Sequence, residues 1–494
     1  MSRGKTPLAR PESPLPSPTQ RFRRTPPSRS SSAPRAASRP RRYLCSSRRA
    51  HRSCRSATRC CVPRRPAWWL PHSHSRLAEV SVARNAHRVA FRTLGCKVNQ
   101  VEAETIAAAL IGTGAVVVPQ EDAEVVIVTT CTVTGEADHK ARKAVRHAHS
   151  LPQAPVVVVT GCLAAIDDGA LASLGERVIV EADKSAVPAR VAAVLGTPSA
   201  PATTSARAGE GFHTRAMVKV EDGCDNFCAY CIVPHARGVP RSTPIEDVIA
   251  EVRALRDAGA HEVVLTGINI GRYDHAGVRL PDLIEAVAET GIERIRLSSV
   301  EPEDVDDALL SAIGRTPAFC EHLHVPLQSG SDRTLAEMGR HYDTATYAAI
   351  IERAREAIPH LAVSADVIVG FPGETEADAA ETLAFLERVS FAKLHVFRYS
   401  ARAGTPAAAR DDRVPPETIA RRAAAVRALG GSMRVEHLRE QVGRTVEVLV
   451  ERTGEGTARD GSRARFAATV AAPGTLARVS VSGIDEAGFA LTAW

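Results

Sequence analysis

The sequence of 494 residues holds no apolar run near the 18 residues that a membrane-spanning helix needs, so no spanning segment is expected. Its first 80 residues almost lack acidic side chains: Glu12 and Glu79 stand against nineteen Lys and Arg. The same stretch lacks periodic apolar spacing and is rich in Pro, Ser and Arg. Such a composition cannot bury enough surface to offset ordering entropy, so residues 1–86 are expected to be a disordered basic tail. It has no apolar h-region, which argues against a secretory signal. A nucleic-acid-binding tail, a targeting peptide and a leader ahead of the native start codon all fit it. The abrupt onset of folded patterning near Arg88 favours the leader. Cys45, Cys54, Cys60 and Cys61 have no usable histidine spacing and carry no assignment.

Once the tail is set aside, the charge changes sign. Of 63 Lys and Arg and 56 Asp and Glu, the chain beyond residue 80 keeps 44 basic against 54 acidic. The eleven cysteines are an odd number, several at ligand spacings. Reduced thiols and metal sites in a cytoplasmic protein fit that better than a disulfide framework.

From Arg88 the pattern is α/β. Strands are expected at 89–94, 115–118, 124–130, 155–160 and 177–180, with helices at 101–111, 136–149 and 184–195. Near-continuous Val/Ile runs alternating with helices predict an open parallel sheet covered on both faces. Cys96, Cys131 and Cys162 each come just after a strand. Buried cysteines that merely fill a core would sit inside the strands. Carboxyl ends of parallel strands share one edge, so these three can converge on one ligand there.

A second set lies in GCDNFCAYCIVPHARG (223–238), where Cys224, Cys228 and Cys231 are spaced C-x3-C-x2-C. No fourth cysteine is close by, and zinc sites want four ligands. A [4Fe–4S] cluster takes four thiolates, so three leave one iron open. This loop resembles that of the radical S-adenosylmethionine (SAM) enzymes. The resemblance implies that SAM chelates the open iron through its amino and carboxylate groups.

With TLGCKVNQVEAE (93–104), VTTCTVT (128–134) and TGCLA (160–164) added, residues 88–494 resemble the methylthiotransferase family of radical SAM enzymes. LTGINIGRY (265–273), RLSSVEP (296–302) and HVPLQSGSD (324–332) look most like the branch acting on threonylcarbamoyladenosine. The resemblance implies two [4Fe–4S] clusters, one on Cys224, Cys228 and Cys231 and a sulfur-holding one on Cys96, Cys131 and Cys162. It implies SAM as cofactor, substitution of hydrogen at adenosine C2, and the anticodon loop of tRNA as partner. Isopentenyladenosine 37 or a ribosomal-protein aspartate are the alternative substrates. A low-potential electron donor such as a flavodoxin or ferredoxin, and a monomeric state, complete the expectation.

A linker rich in small and polar residues is expected at 197–211, between a sheet domain at 87–196 and a catalytic domain at 212–440. In the latter, six strand–helix repeats predict a partial (βα)6 barrel, with a helix at 244–258 capped by Ser242 or Thr243. Polar and glycine clusters recur at strand ends. Thr266, Gly267, Ser299, Gln328, Gly370 and Gly373 are the candidates for contact with SAM or adenosine. Cys320 reads as core. A helix is expected at 417–441, which Gly430 and Gly431 would interrupt. Short strands at 444–450, 465–469 and 477–481 then predict an all-β module over 441–494, which resembles the TRAM RNA-binding barrel. Residues 394–494 carry 15 Lys and Arg against 11 Asp and Glu, which suits a phosphate backbone.

Overall fold

The computed structural model describes residues 86–197 and 214–493, all within one compact unit. The expectations for the tail and the linker, with the four tail cysteines, lie outside the described residues apart from positions 86 and 197.

The first layer is a parallel sheet of β1 (Arg88–Thr93), β2 (Val116–Val117), β3 (Val125–Thr130), β4 (Val156–Gly161) and β5 (Val178–Val180), in the order β2-β1-β3-β4-β5. Alternate residues face opposite sides of each strand. Val126, Val128, Val157 and Val159 pack with Ala141, Val145 and Ala148 of α2 (Gly135–His149). Val125, Ile127 and Val158 pack on the other side. They meet Ile106 and Leu110 of α1 (Lys97–Gly112) and Val187 and Val191 of α4 (Val187–Leu195). Both faces are thus apolar and covered, which is why these strands read as Val/Ile runs. A four-residue helix, α3 (Cys162–Ala165), follows β4. Thr134 caps α2 by accepting from Ala137 N, a contact that contributes about 1 kcal/mol.

The catalytic layer begins with β6 (Ala216–Lys219) and continues through strands Glu262–Thr266, Arg294–Leu297, His322–His324, Ala362–Val369 and Lys393–Arg398. Parallel ladders join the first three and the last three. Single bridges, Ile295 to Phe319 and Ser299 to His324, connect the two halves. The result is the expected open barrel of six parallel strands. Its outward apolar residues, among them Val263, Leu265, Ile295, Leu297, Val363 and Val367, form the largest core cluster with the surrounding helices. Cys320 is fully buried at the edge of that core, as read from sequence.

The C-terminal module is a closed five-stranded barrel of Thr445–Arg452, Glu455–Ala458, Arg463–Arg465, Leu476–Ile484 and Leu491–Ala493. Three local expectations are corrected. The strand placed at 465–469 instead spans Arg463–Arg465: Phe466 N makes a last cross-strand bond to Gly454 O, and a turn then follows. Helix Pro416–Arg439 runs unbroken through Gly430 and Gly431. Gly430 lies against Leu394, where a Cβ would meet the leucine Cβ at 3.2 Å, so the missing side chain allows close packing rather than breaking the helix. Neither Ser242 nor Thr243 caps helix Ile245–Asp257; Pro244 occupies that place, and Thr243 Oγ1 donates to Lys219 O.

Candidate functional site

Both thiol sets stand at carboxyl ends of parallel strands. Cys96, Cys131 and Cys162 follow β1, β3 and β4, three adjacent strands of the first sheet. The Cys131 thiol lies within electrostatic reach of Cys162 and Cys96, and Cys162 within reach of Cys96, so the sheet edge brings the three together. Glycine makes this approach possible. Gly95 and Gly161, just before Cys96 and Cys162, have φ of 112° and 96°. A Cβ on Gly95 would meet Cys131 Cβ at 2.8 Å, and one on Gly161 would meet Thr130 O at 2.4 Å. Gly223, before Cys224, repeats the device with φ 113° and Val239 O at 2.1 Å from the absent Cβ.

Four of these thiols are poorly disposed to ionise alone. Burial pushes Cys131 up to about 11 and Cys231 up to about 12, and raises Cys162 and Cys224. Backbone N–H groups two residues on, from Val133, Asn226 and Val233, donate to Cys131, Cys224 and Cys231 and pull the other way. Buried thiols ringed by N–H donors suit thiolates whose charge is balanced by bound iron. Among the described residues, no three His, Cys, Asp or Glu side chains are grouped as ligands of a single metal ion. A four-iron cluster takes one thiolate per iron, so its ligands stand apart.

Each set also receives one buried arginine. Arg237 Nε donates to Cys162 Sγ at 3.1 Å, and Arg340 Nη1 to Cys228 Sγ at 3.1 Å. Arg237 belongs to α5 (Val233–Arg237), directly after the Cys231 loop. It also donates to Glu102 Oε1 at 2.9 Å, Asp222 Oδ1 at 2.7 Å and Asn99 Oδ1 at 2.6 Å. Burial opposes its charge, but Cys162, Glu102 and Asp222 outweigh that and hold its pKa above the usual arginine value. Asn99 in turn donates to Leu94 O and Thr130 O, the backbone just before two of the cysteine loops. Arg402 reaches the Cys131 loop from the far side, donating to Thr132 Oγ1 at 2.7 Å and Asp138 Oδ2 at 2.6 Å. Two arginines of the catalytic barrel thus hold the loops of the first sheet. Around the second set, Asn269 donates to Cys224 Sγ at 3.8 Å, and Arg340 also pairs with Glu301. Phe227, between Cys224 and Cys228, adopts φ 45° and leaves its ring exposed.

Thr266 is buried at its strand end, and its carbonyl accepts from Val220 N. Gly267 makes room for Glu221, whose Oε2 would lie 2.8 Å from a Cβ there. Glu221 accepts from Ile268 N and Asn269 N, and burial raises it to about 7. Ser299 is half-buried and bridges to His324. Gln328 is buried with φ 68°, a conformation that costs a non-glycine residue of order 1 kcal/mol or more and clusters at functional sites. Gly370 abuts Ile419, and Gly373 sits among Arg410, Asp412 and Glu337, so each has a packing reason to be glycine.

Asn99, Glu102 and Arg237 lie within the cysteine-bearing motifs, but motif spacing alone gives them no role. The signal was there: Asn99 and Glu102 lie three apart on one face of the helix after Cys96. Arg340 is remote in sequence from Cys228, and no spacing could have paired them.

An open barrel of six parallel strands, with three thiols on the loop after its first strand, is the architecture of a radical SAM enzyme. Residues 218–386 match the Radical SAM superfamily, and residues 88–180 match Uncharacterized protein family UPF0004. The fold is shared with a cobalamin- and [4Fe–4S]-bound radical SAM methyltransferase, TsrM, from Kitasatospora setae. That likeness has a TM-score of 0.50 at 13% identity over 65% of this chain and 77% of that one. A threonylcarbamoyladenosine tRNA methylthiotransferase, MtaB, from Thermotoga maritima is 34% identical over 74% of this chain and 86% of its own length. The Bacillus subtilis protein of that name is 35% identical over 74% and 84%. A tRNA-2-methylthio-N(6)-dimethylallyladenosine synthase from Parafrankia is 36% identical over 79% and 83%. The chain belongs to the methylthiotransferase family of radical SAM enzymes, and that membership brings SAM and a [4Fe–4S] cluster.

Proposed function

We propose that this chain converts N6-threonylcarbamoyladenosine at position 37 of tRNA to its 2-methylthio derivative. The observation that carries the reading is that two three-thiol sets stand at strand carboxyl ends, and that buried Arg237, on the helix after the second set, donates to Cys162 of the first and to Asp222 just before Cys224. Sulfur insertion at an unactivated aromatic carbon needs both a radical source and a sulfur source, and the chain has a candidate for each.

Cys224, Cys228 and Cys231 would hold the [4Fe–4S] cluster that binds SAM, and Cys96, Cys131 and Cys162 a second one. When bound, these groups supply one-electron cleavage of SAM and the sulfur that a second SAM methylates. The protein's share is placement. Arg340 and Arg237 each give one thiolate a charged N–H donor, which offsets anionic charge in a buried site. Glu102 and Asp222 share Arg237 from opposite sides of the junction, so the first sheet and the radical loop hold one register. Thr266, Gly267, Ser299, Gln328, Gly370 and Gly373 are proposed to face SAM or the adenosine. The small barrel at 441–494 is proposed to grip the anticodon arm, a target suited to shape-based recognition. The domain limits 87–196, 212–440 and 441–494 belong to the same reading, as do a low-potential donor, a monomeric enzyme and a cytoplasmic site. Among the described residues no helix is long and apolar enough to cross a membrane.

Relatives named for the dimethylallyl substrate are as similar in identity as those named for threonylcarbamoyladenosine, so isopentenyladenosine 37 is the second reading. Nucleoside mass spectrometry of tRNA from a deletion strain separates them. The 2-methylthio form of threonylcarbamoyladenosine should vanish and return with the gene; loss of the isopentenyl form instead would reverse the assignment.

A further inference from the structure

The catalytic barrel is open along one side, between strand Lys393–Arg398 and β6. Each of these strands ends its sheet, and among the described residues no strand pairs with the free edge of either. The other two modules stand at the ends of the gap. At the amino ends of the strands, Arg215, just before β6, pairs with Glu451 of the C-terminal barrel at 2.7 Å. On the facing side, Arg434 of helix Pro416–Arg439 donates to Gly488 O of that barrel at 3.1 Å. The same helix packs on the open strand: Gly430 lies against Leu394, and Phe391 N donates to Met433 Sδ at 3.5 Å. At the carboxyl end, Gly135 N of the first sheet donates to Ser400 Oγ at 2.9 Å, two residues past the strand. Leu394 and Val396 pack on the apolar core, so Lys393, His395 and Phe397 face the open interior. His395 meets the His324 ring edge-on, with centroids 5.4 Å apart, as that direction requires. Phe397, beside Ile368 in the ladder, is 42% exposed. Phe489, at the other end of the gap, is 55% exposed, with the Arg434 guanidinium 4.0 Å from its ring centroid. Nearby carboxylates are engaged: Asp366 lies 3.2 Å from His324 Nε2, and Asp485 pairs with Arg465 at 3.0 Å and accepts from Phe489 N. Lys393 makes no side-chain hydrogen bond or ion pair among the described residues.

We propose that this open edge, from the Arg434–Phe489 stack through Lys393 to Phe397, binds the single-stranded loop of the tRNA arm, with Phe397 as the stacking platform for an unpaired base flanking position 37. The proposal rests on the tRNA reading above and names the surface that serves it. Proteins that hold single strands combine cations that follow the backbone with aromatic faces on which bases stack. Here two exposed rings and two cations lie along one edge, and Lys393 and Phe397 are about 13 Å apart at about 3.3 Å per strand residue. The edge runs from the C-terminal barrel to the loop that carries Cys131, because Arg402, just beyond Ser400, donates to Thr132 at 2.7 Å. A strand of RNA lying on it therefore ends beside the proposed sulfur source. The radical loop follows β6, across the gap, so the target base passes between the two sides while its neighbour meets Phe397.

The test uses full-length, cluster-loaded protein and an anticodon hairpin with threonylcarbamoyladenosine at position 37, beside two hairpins that lack the base on one or the other side of it. Phe397→Leu should weaken binding of the intact hairpin about tenfold, the worth of one stacked base, and Phe397→Tyr should retain it. One of the abasic hairpins should bind wild type about tenfold less tightly. Phe397→Leu should bind that hairpin as it binds the intact one, since both changes remove the same contact. Lys393→Gln should flatten the slope of log affinity against log salt by about 0.7, as loss of one single-strand phosphate contact implies. Iron content and circular dichroism establish that each variant is folded. Equal binding of the intact hairpin by wild type and Phe397→Leu, as expected if the edge served a polypeptide, would overturn the proposal. So would a Phe397→Leu loss that adds in full to that of both abasic hairpins, or a defect confined to KM for SAM. If the stacking holds but no hairpin is methylthiolated, the surface stands and the functional reading falls; methylthiolation without dependence on Phe397 gives the reverse.

Discussion

Arg237 Nε lies 3.1 Å from Cys162 Sγ, although the arginine belongs to the helix after the radical loop and the cysteine to the end of the first sheet. The same guanidinium ion-pairs with Glu102 on one side of the junction and Asp222 on the other. Removing one partner of a buried ion pair leaves uncompensated charge. Lys184 and Lys219 also reach Glu102, so Arg237→Ala should cost about 3 kcal/mol, the low end of the usual range. It should also loosen iron at Cys96, Cys131 and Cys162 while leaving Cys224, Cys228 and Cys231 loaded. Iron analysis with electron paramagnetic resonance checks this; full iron in a variant of unchanged stability would contradict it.

The glycines before the cysteines offer a cleaner separation. Gly161→Ala sets a Cβ 2.4 Å from Thr130 O, and Gly223→Ala sets one 2.1 Å from Val239 O, both against backbone and both at positive φ. Each should cost about 1–3 kcal/mol of local strain or more. The first should lower occupancy of the sheet-edge site and the second that of the radical loop. Two four-iron clusters give about eight irons per chain, so each variant should approach about four. The same loss at both sites from either variant would mean that the sites are not independent.

Glu104 on α1 and Glu251 on helix Ile245–Asp257 set a pH dependence. Burial raises both to about 7, and Glu251 adds to the rise at Glu104. A carboxyl whose folded pKa exceeds its unfolded value favours folding while protonated. That contribution is complete below about pH 4.5, the unfolded value, and is lost as pH climbs through about 7. Glu104→Gln should therefore raise Tm at pH 8 and change it little at pH 5. Because both groups are only half-buried, the gain is on the order of 1 kcal/mol. Calorimetry at the two pH values checks it, and an equal shift at both would contradict it.

The architecture was legible in the sequence because the core strands are short Val/Ile runs followed by cysteine or glycine. Cys96, Cys131 and Cys162 could be grouped because parallel strands end on one edge. What stayed hidden depends on contacts across long sequence separations. Arg340 on Cys228, Arg402 on Thr132 and the junction role of Arg237 are set by how the barrel meets the sheet. Gly430 and Gly431 misled because propensity penalises glycine in a helix, while the packing of Leu394 against Gly430 offsets the cost.

The central claim is that the two thiol sites divide the work, and the direct measurement is a split assay on the triple variant Cys96→Ala, Cys131→Ala, Cys162→Ala. After reduction, this variant should still cleave SAM to 5′-deoxyadenosine and retain about four irons. It should form no 2-methylthio product on tRNA, whereas the Cys224, Cys228 and Cys231 triple variant should do neither. A folded sheet-edge variant, intact by circular dichroism, that still yields methylthiolated threonylcarbamoyladenosine would show that Cys96, Cys131 and Cys162 are not the sulfur site.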